Sequence, residues 1–169
     1  TYGQLGDGTT TDRSGPVDVS GLSAGVQSVV TGGYHTCALT FDDGVKCWGR
    51  NQNGQLGDGT TTNRSTPVTA SGLSDGVGMI AAGTSHTCAL LTSDSVKCWG
   101  SNDYGSVGDG SNTQRTAAVA VSGVSGSATF SDVPTSHWGF RYIESLYANS
   151  YTAGCNTSPL KYCPDNTMN

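Results

Sequence analysis

The chain is poor in the residues that build helices and charged surfaces. Glu144 is its only glutamate among 169 residues, and every other acid is Asp. Asp prefers turns and caps to helix interiors, so helix-poor architecture is expected. The eight lysines and arginines stand singly; with no basic stripe and a net charge of −5, nucleic acid is not an expected partner. No apolar run approaches the roughly 20 residues that cross a bilayer, so no membrane span is expected, and no secretory leader is read. Paired carboxylates, His-Glu-x-x-His and cysteine knuckles of the C-x2-4-C kind are missing, and no serine elbow is read. Catalysis therefore has no seat, and the chain is not expected to be an enzyme.

What is present is a repeat. HTCALTFDDGVKCWGRN at His35 to Asn51 returns as HTCALLTSDSVKCWGSN at His86 to Asn102, displaced by 51 residues. Each copy carries two short alternating runs around a turn cluster, Asp42-Asp43-Gly44 or Ser93-Asp94-Ser95, which is the pattern of a β-hairpin. Pairing about Asp42 sets Cys37 opposite Cys47 and Leu39 opposite Val45 on one face, with Ala38, Lys46 and Trp48 on the other. The second copy sets Cys88 opposite Cys98 in the same way. Opposed side chains have Cβ atoms about 4.5 to 5.5 Å apart, within reach of a cross-strand disulfide.

The six cysteines form three local pairs, 37/47, 88/98 and 155/163. Local bridges in an oxidising compartment are weighed against a zinc site, and the spacing favours bridges. One per hairpin and a third between Cys155 and Cys163 are expected, which points to an extracellular location.

A second repeating stretch flanks the hairpin. TYGQLGDGTTTDRSGP at the start recurs as NGQLGDGTTTNRSTP at 53 to 67 and more weakly as YGSVGDGSNTQRT at 104 to 116. The Gly-x-Leu-Gly-Asp-Gly segments read as tight turns needing positive φ; no Lys-Ser/Thr follows that would make them phosphate loops. Between turn and hairpin, Val29-Val30 and Met79-Ile80 run into small residues, as suits the crowded innermost strand of a radial array. Each unit thus reads as a four-stranded propeller blade, at about 24 to 74 and 75 to 125, preceded by the tail of another. Because Thr1 falls inside a repeat, the natural amino terminus is expected upstream.

The run Val-x-x-Val/Ile-x-x-Gly-x-x-His-Thr-Cys-Ala-Leu, followed by Val-Lys-Cys-Trp-Gly-x-Asn-x-x-Gly-Gln-Leu-Gly-Asp-Gly-Thr, resembles the regulator of chromosome condensation repeats. The likeness is to the cysteine-paired form of bacterial secreted proteins and covers roughly residues 1 to 124. It implies a propeller, typically of about seven blades, of which this chain carries an all-β part. After Gly123 the repeat stops. A Ser/Gly/Ala linker from Ser122 to Thr129 precedes an expected short helix, capped by Ser136 and ending near Asn149-Ser150. Phe130-Ser131-Asp132-Val133-Pro134, His137-Trp138 and Tyr162-Cys163-Pro164-Asp165-Asn166 are similar to the opening of an S-layer homology module, so residues 125 to 169 are expected to be a truncated module of that kind.

Candidate site residues follow the repeat. His35 and His86 are expected to be hydrogen-bonded structural groups, and Trp48 and Trp99 to pack between blades, with a ligand platform as the rival role. Asp7, Asp58 and Asp109 are Ca²⁺ candidates, although turn chemistry alone explains them; no cofactor and no other metal is expected. Asn63 and Asn156 begin N-glycosylation sequons. The expected function is that of an extracellular bacterial structural or interaction protein, assembling with further blades or other subunits into a surface layer, sheath or filament. Its expected partners are protein, chiefly copies of itself, and cell-wall polysaccharide. The alternative is a secreted module whose complete propeller binds a protein or glycan. An exchange factor or chromatin binder is at odds with the cysteines and the acidity.

Overall fold

In the computed structural model residues 1–73 and 76–124 are described; the chain divides into two units between Ser125 and Gly126. The helix expected from Ser136, the S-layer-like segment, Cys155, Asn156 and Cys163 lie outside the described residues. Among the described residues every regular element is a strand. β1 (Val26–Thr31), β2 (His35–Thr40), β3 (Val45–Gly49) and β4 (Arg64–Thr69) form one antiparallel sheet in that order. β5 (Val77–Ala82), β6 (His86–Leu91), β7 (Val96–Gly100) and β8 (Arg115–Ala120) form a second with the same order. Meandering four-stranded sheets repeated along the chain are propeller blades, and the described residues form an all-β partial propeller.

The hairpin register is the one the pattern implies. Cys37 faces Cys47, Ala38 faces Lys46 and Leu39 faces Val45, and the second hairpin repeats the pairing with Cys88 against Cys98. The turns reach left-handed backbone through Asp43 (φ 57°) and Asp94 (φ 65°), residues whose short polar side chains tolerate it. Both cysteine pairs are bridged, with Cα atoms 4.1 Å apart. The glycines of the three Gly-x-Leu/Val-Gly-Asp-Gly turns all have positive φ, between 72° and 86°, so a side chain there would be strained.

Period-two alternation sends Cys37, Leu39, Val45 and Cys47 toward the second sheet, where they meet Val77, Ile80, Ala89, Leu91 and Trp99 in one buried cluster with Leu56. The core thus lies between the blades. The other face of the first sheet is covered by residues 1–20, whose Gly6 lies so close that an added Cβ would sit 2.8 Å from Trp48 Nε1. Residues 13–18, Arg-Ser-Gly-Pro-Val-Asp, match the sequence around β4 but form no strand. They have no neighbouring strand in this chain, and a strand without its ladder is not stable.

Breaking the two bridges by reduction is expected to lower the unfolding free energy by about 3 kcal/mol each. Urea midpoints with and without reductant measure this; coincident curves would show that the hairpins need no staple.

Candidate interaction site between the blades

The two sheets are joined by a hydrogen-bonded lock of recurring residues. The loop between β3 and β4 carries Gln55 across to the second sheet, where its carbonyl accepts from Trp99 Nε1 on β7 and Thr87 Oγ1 on β6, both at 2.9 Å. Thr87 Oγ1 lies 2.9 Å from His35 Nε2 on β2. The single hydroxyl proton is committed to Gln55, so Thr87 accepts from His35 and the network assigns the ring proton to Nε2. Nδ1 is left as a bare acceptor, buried without a donor. Burial, with a smaller contribution from the charge of His86, pushes the His35 pKa from 6.5 down to about 4; the ring is neutral at ordinary pH.

The same lock closes on the first sheet. Trp48 Nε1 and Thr36 Oγ1 donate to the Gln4 carbonyl at 2.8 and 3.2 Å. Residues 1–20 therefore hold the first blade as residues 53–71 hold the second. Matching backbone bonds support this: Gly8 N to Ser65 O, and Gly59 N to Thr116 O. Glycine lets the segments approach, since a Cβ on Gly3 or Gly54 would lie 2.5 or 2.8 Å from the facing strand. Gly32 and Gly83 make room for the histidine rings, at 2.2 and 2.3 Å from a built Cβ.

Asn51 and Asn102, both fully buried, fix the shape of the gripping loops. Asn51 Nδ2 donates to Asp58 Oδ1 and the Thr60 carbonyl, while its Oδ1 accepts from the Leu56 amide; Asn102 does the same with Asp109, Ser111 and Val107. These asparagines and the Gln4/Gln55 pair recur at the repeat spacing, but no motif in the sequence singles them out. Asp7, Asp58 and Asp109 each cap a Thr or Ser two residues on and pair with Arg13, Arg64 and Arg115. Asp109 is lowered to about 2, first by the Ser111 hydroxyl and then by Arg115. Burial raises Asp58, and the bonds from Thr60, Arg64 and Asn51 outweigh it. These carboxylates are engaged within their own loops, and among the described residues no three His, Cys, Asp or Glu gather as metal ligands. Asn63 is exposed, with its Oδ1 accepting from the Asn51 amide.

The letters Gly-x-Ser-x-Gly do occur, at 21 to 25 and 72 to 76, which corrects the reading that no serine elbow is present as a sequence match. Gly21 to Gly25 is a turn that leads into β1, with Ser23 exposed. A nucleophile elbow instead follows a strand and opens a helix, so this turn is not one.

The family model described as "Regulator of chromosome condensation (RCC1) repeat" matches residues 1–39 and 42–90. The chain belongs to the RCC1 repeat family. A second RCC1 repeat model matches 26–55 and 80–106. Similar proteins include the ultraviolet-B receptor UVR8 of Arabidopsis thaliana, 33% identical over 74% of this chain and 29% of its own length. Human protein RCC2 is 38% identical over 56% of this chain and 19% of its length. The human E3 ubiquitin-protein ligase HERC2 is 36% identical over 67% of this chain and 2% of its length. The chain thus spans less than a third of each. Among solved structures, human WBSCR16 superposes with a TM-score of 0.63 at 21% identity over 71% of this chain and 32% of that one. Prp20p of Saccharomyces cerevisiae follows at 0.54 and 17%, over 59% and 26%. These two likenesses show the propeller fold.

Thr87→Val removes the acceptor of His35 and one donor to Gln55, and is expected to cost about 1 to 3 kcal/mol, whereas Thr87→Ser stays near wild type; chemical denaturation of both variants checks the pair. The pH dependence has a definite sign. Because the folded His35 value lies near 4 against 6.5 ordinarily, the fold binds fewer protons than the unfolded chain between those limits. Its contribution is complete above about pH 6.5, and on the order of 3 kcal/mol is lost as pH falls to about 4. Urea titrations across that window are expected to show the loss in wild type and a flatter profile in His35→Gln; parallel profiles would remove His35 from the account.

Proposed function

We propose that this RCC1-repeat chain is an extracellular bacterial interaction and structural module that works by adding blade to blade, with further repeats or other subunits completing the array at a surface layer, sheath or filament. One observation carries the reading. The two hairpins are nearly identical in sequence, yet β2 is buried at every position while β6 is buried only at alternate ones. Thr87, Ala89 and Leu91 face the first blade; His86, Cys88 and Leu90 face away and are only partly covered. His86 repeats His35, but among the described residues its ring makes no side-chain hydrogen bond, whereas the His35 ring has Thr87. Such a face is the seat of a further blade. The paired hairpin cysteines support an oxidising location, and the sequence likeness of residues 125 to 169 to an S-layer module supports contact with cell-wall polysaccharide.

A binding module whose complete propeller grips a partner protein is the second reading. It is favoured by the relatives, since the Prp20p structure is described with binding to Gsp1p and histones.

Sedimentation of the full chain separates the two. Assembly predicts species larger than a monomer at micromolar concentration and their loss in Leu90→Glu, which places a charge on the open face. A monomeric wild type, with stability unchanged by Leu90→Glu, would overturn the assembly reading.

A further inference from the structure

The residues the blade requires recur one repeat later, and those that do not recur are free for another role. Tyr34 and Arg50 become Ser85 and Ser101 in the second blade, and Tyr2 becomes Asn53. The first blade nonetheless brings the three together where the β1–β2 turn meets the chain leaving β3. The Arg50 amide donates to the Tyr34 carbonyl at 2.9 Å. The rings of Tyr2 and Tyr34 meet edge to face with centroids 5.6 Å apart, and the Arg50 guanidinium carbon lies 5.7 and 5.8 Å from the two centroids. Tyr34 is 48% exposed.

The guanidinium is also oriented. Nε and Nη2 donate to Gln52 Oε1 at 3.0 and 2.8 Å, which uses one side of the group and leaves the end-on fork of the two Nη atoms without an acceptor. Arg13, Arg64 and Arg115 each pair with an Asp; among the described arginines Arg50 alone meets no carboxylate. A guanidinium already held by two rings and an amide gives up little further freedom when a carboxylate arrives, and the fork matches that group with two charge-assisted hydrogen bonds.

We propose that the Arg50 fork, framed by Tyr2 and Tyr34, docks a side-chain carboxylate from an acidic peptide segment of a partner protein, with an apolar neighbour of that carboxylate covering the exposed side of Tyr34. A peptide is favoured over an acidic glycan by the ring geometry. Sugars stack on open, flat aromatic faces, whereas these rings stand edge to face and each has the guanidinium over one side. The site is distinct from the open face of the second blade and does not depend on blade assembly.

The test uses the full chain and a fluorescein-labelled peptide of alternating glutamate and leucine, with glutamine replacing glutamate in a control peptide. Anisotropy is expected to show binding to wild type, about tenfold weaker for Arg50→Gln and for the control peptide, and about threefold weaker for Tyr34→Ala. Arg50→Lys keeps the charge without the fork and is expected to stay close to Arg50→Gln. Arg50 lies outside the buried lock, so thermal melts of these variants should match wild type and separate docking from folding. Equal affinity of wild type and Arg50→Gln, or no binding at millimolar protein, overturns the proposal. Arg50-dependent binding of polygalacturonate with none of the peptide also overturns it, by assigning the site to acidic glycans.

Discussion

Gln55 holds out a backbone oxygen to the next sheet, and the coupling of the two blades turns on what that oxygen receives. It lies in a buried place, where a lost hydrogen bond leaves a desolvated group with no water to replace the partner. Two donors from different strands, the Trp99 indole and the Thr87 hydroxyl, converge on it, and His35 reaches the same hydroxyl from the first sheet. One loop therefore couples β2, β6 and β7. The Gln55 side chain is itself fully buried, with its Oε1 accepting from the Asn53 backbone amide, and the third copy of the loop carries Ser106 at the equivalent position.

Several recurring residues take their meaning from that contact. The glycines that flank the oxygen are small because the facing strand passes within 3 Å of where a Cβ would be. Asn51 bends the loop that delivers it, and Asp58 with Arg64 closes the loop behind it. The disulfide stitches the hairpin that receives it. A blade is thus assembled from groups whose partners belong half to itself and half to its neighbour. That is the physical reason such repeats are stable only in series.

Much of this was legible in the residues. The alternation in HTCALTFDDGVKCWG, paired about the Asp42 turn, placed Cys37 against Cys47, since the turn sets the register and directly opposed residues share a face. The 51-residue spacing made the units repeats. The roles of Asn51 and Gln55 were not read, although both recur. Polar residues in a Gly/Thr-rich stretch look like ordinary loop, and nothing local distinguishes an Asn that turns outward from one buried against its own backbone. The serine turn at Gly21 to Gly25 shows the converse, a catalytic-looking string whose context, a turn entering a strand, gives it no such role.

By itself the sequence determined the hairpin strands, their turns, the hairpin register and the pairing of Cys37 with Cys47 and of Cys88 with Cys98, because each depends on residues within one hairpin. The tertiary structure alone decided which face of each sheet is covered. It showed His35 locked to Thr87 while His86 faces outward, and it gathered Tyr2, Tyr34 and Arg50 into one cluster. Those outcomes depend on which segment packs on which, a matter of contacts between residues dozens of positions apart. A local pattern is the same in both copies and carries no record of the neighbour that completes only one of them.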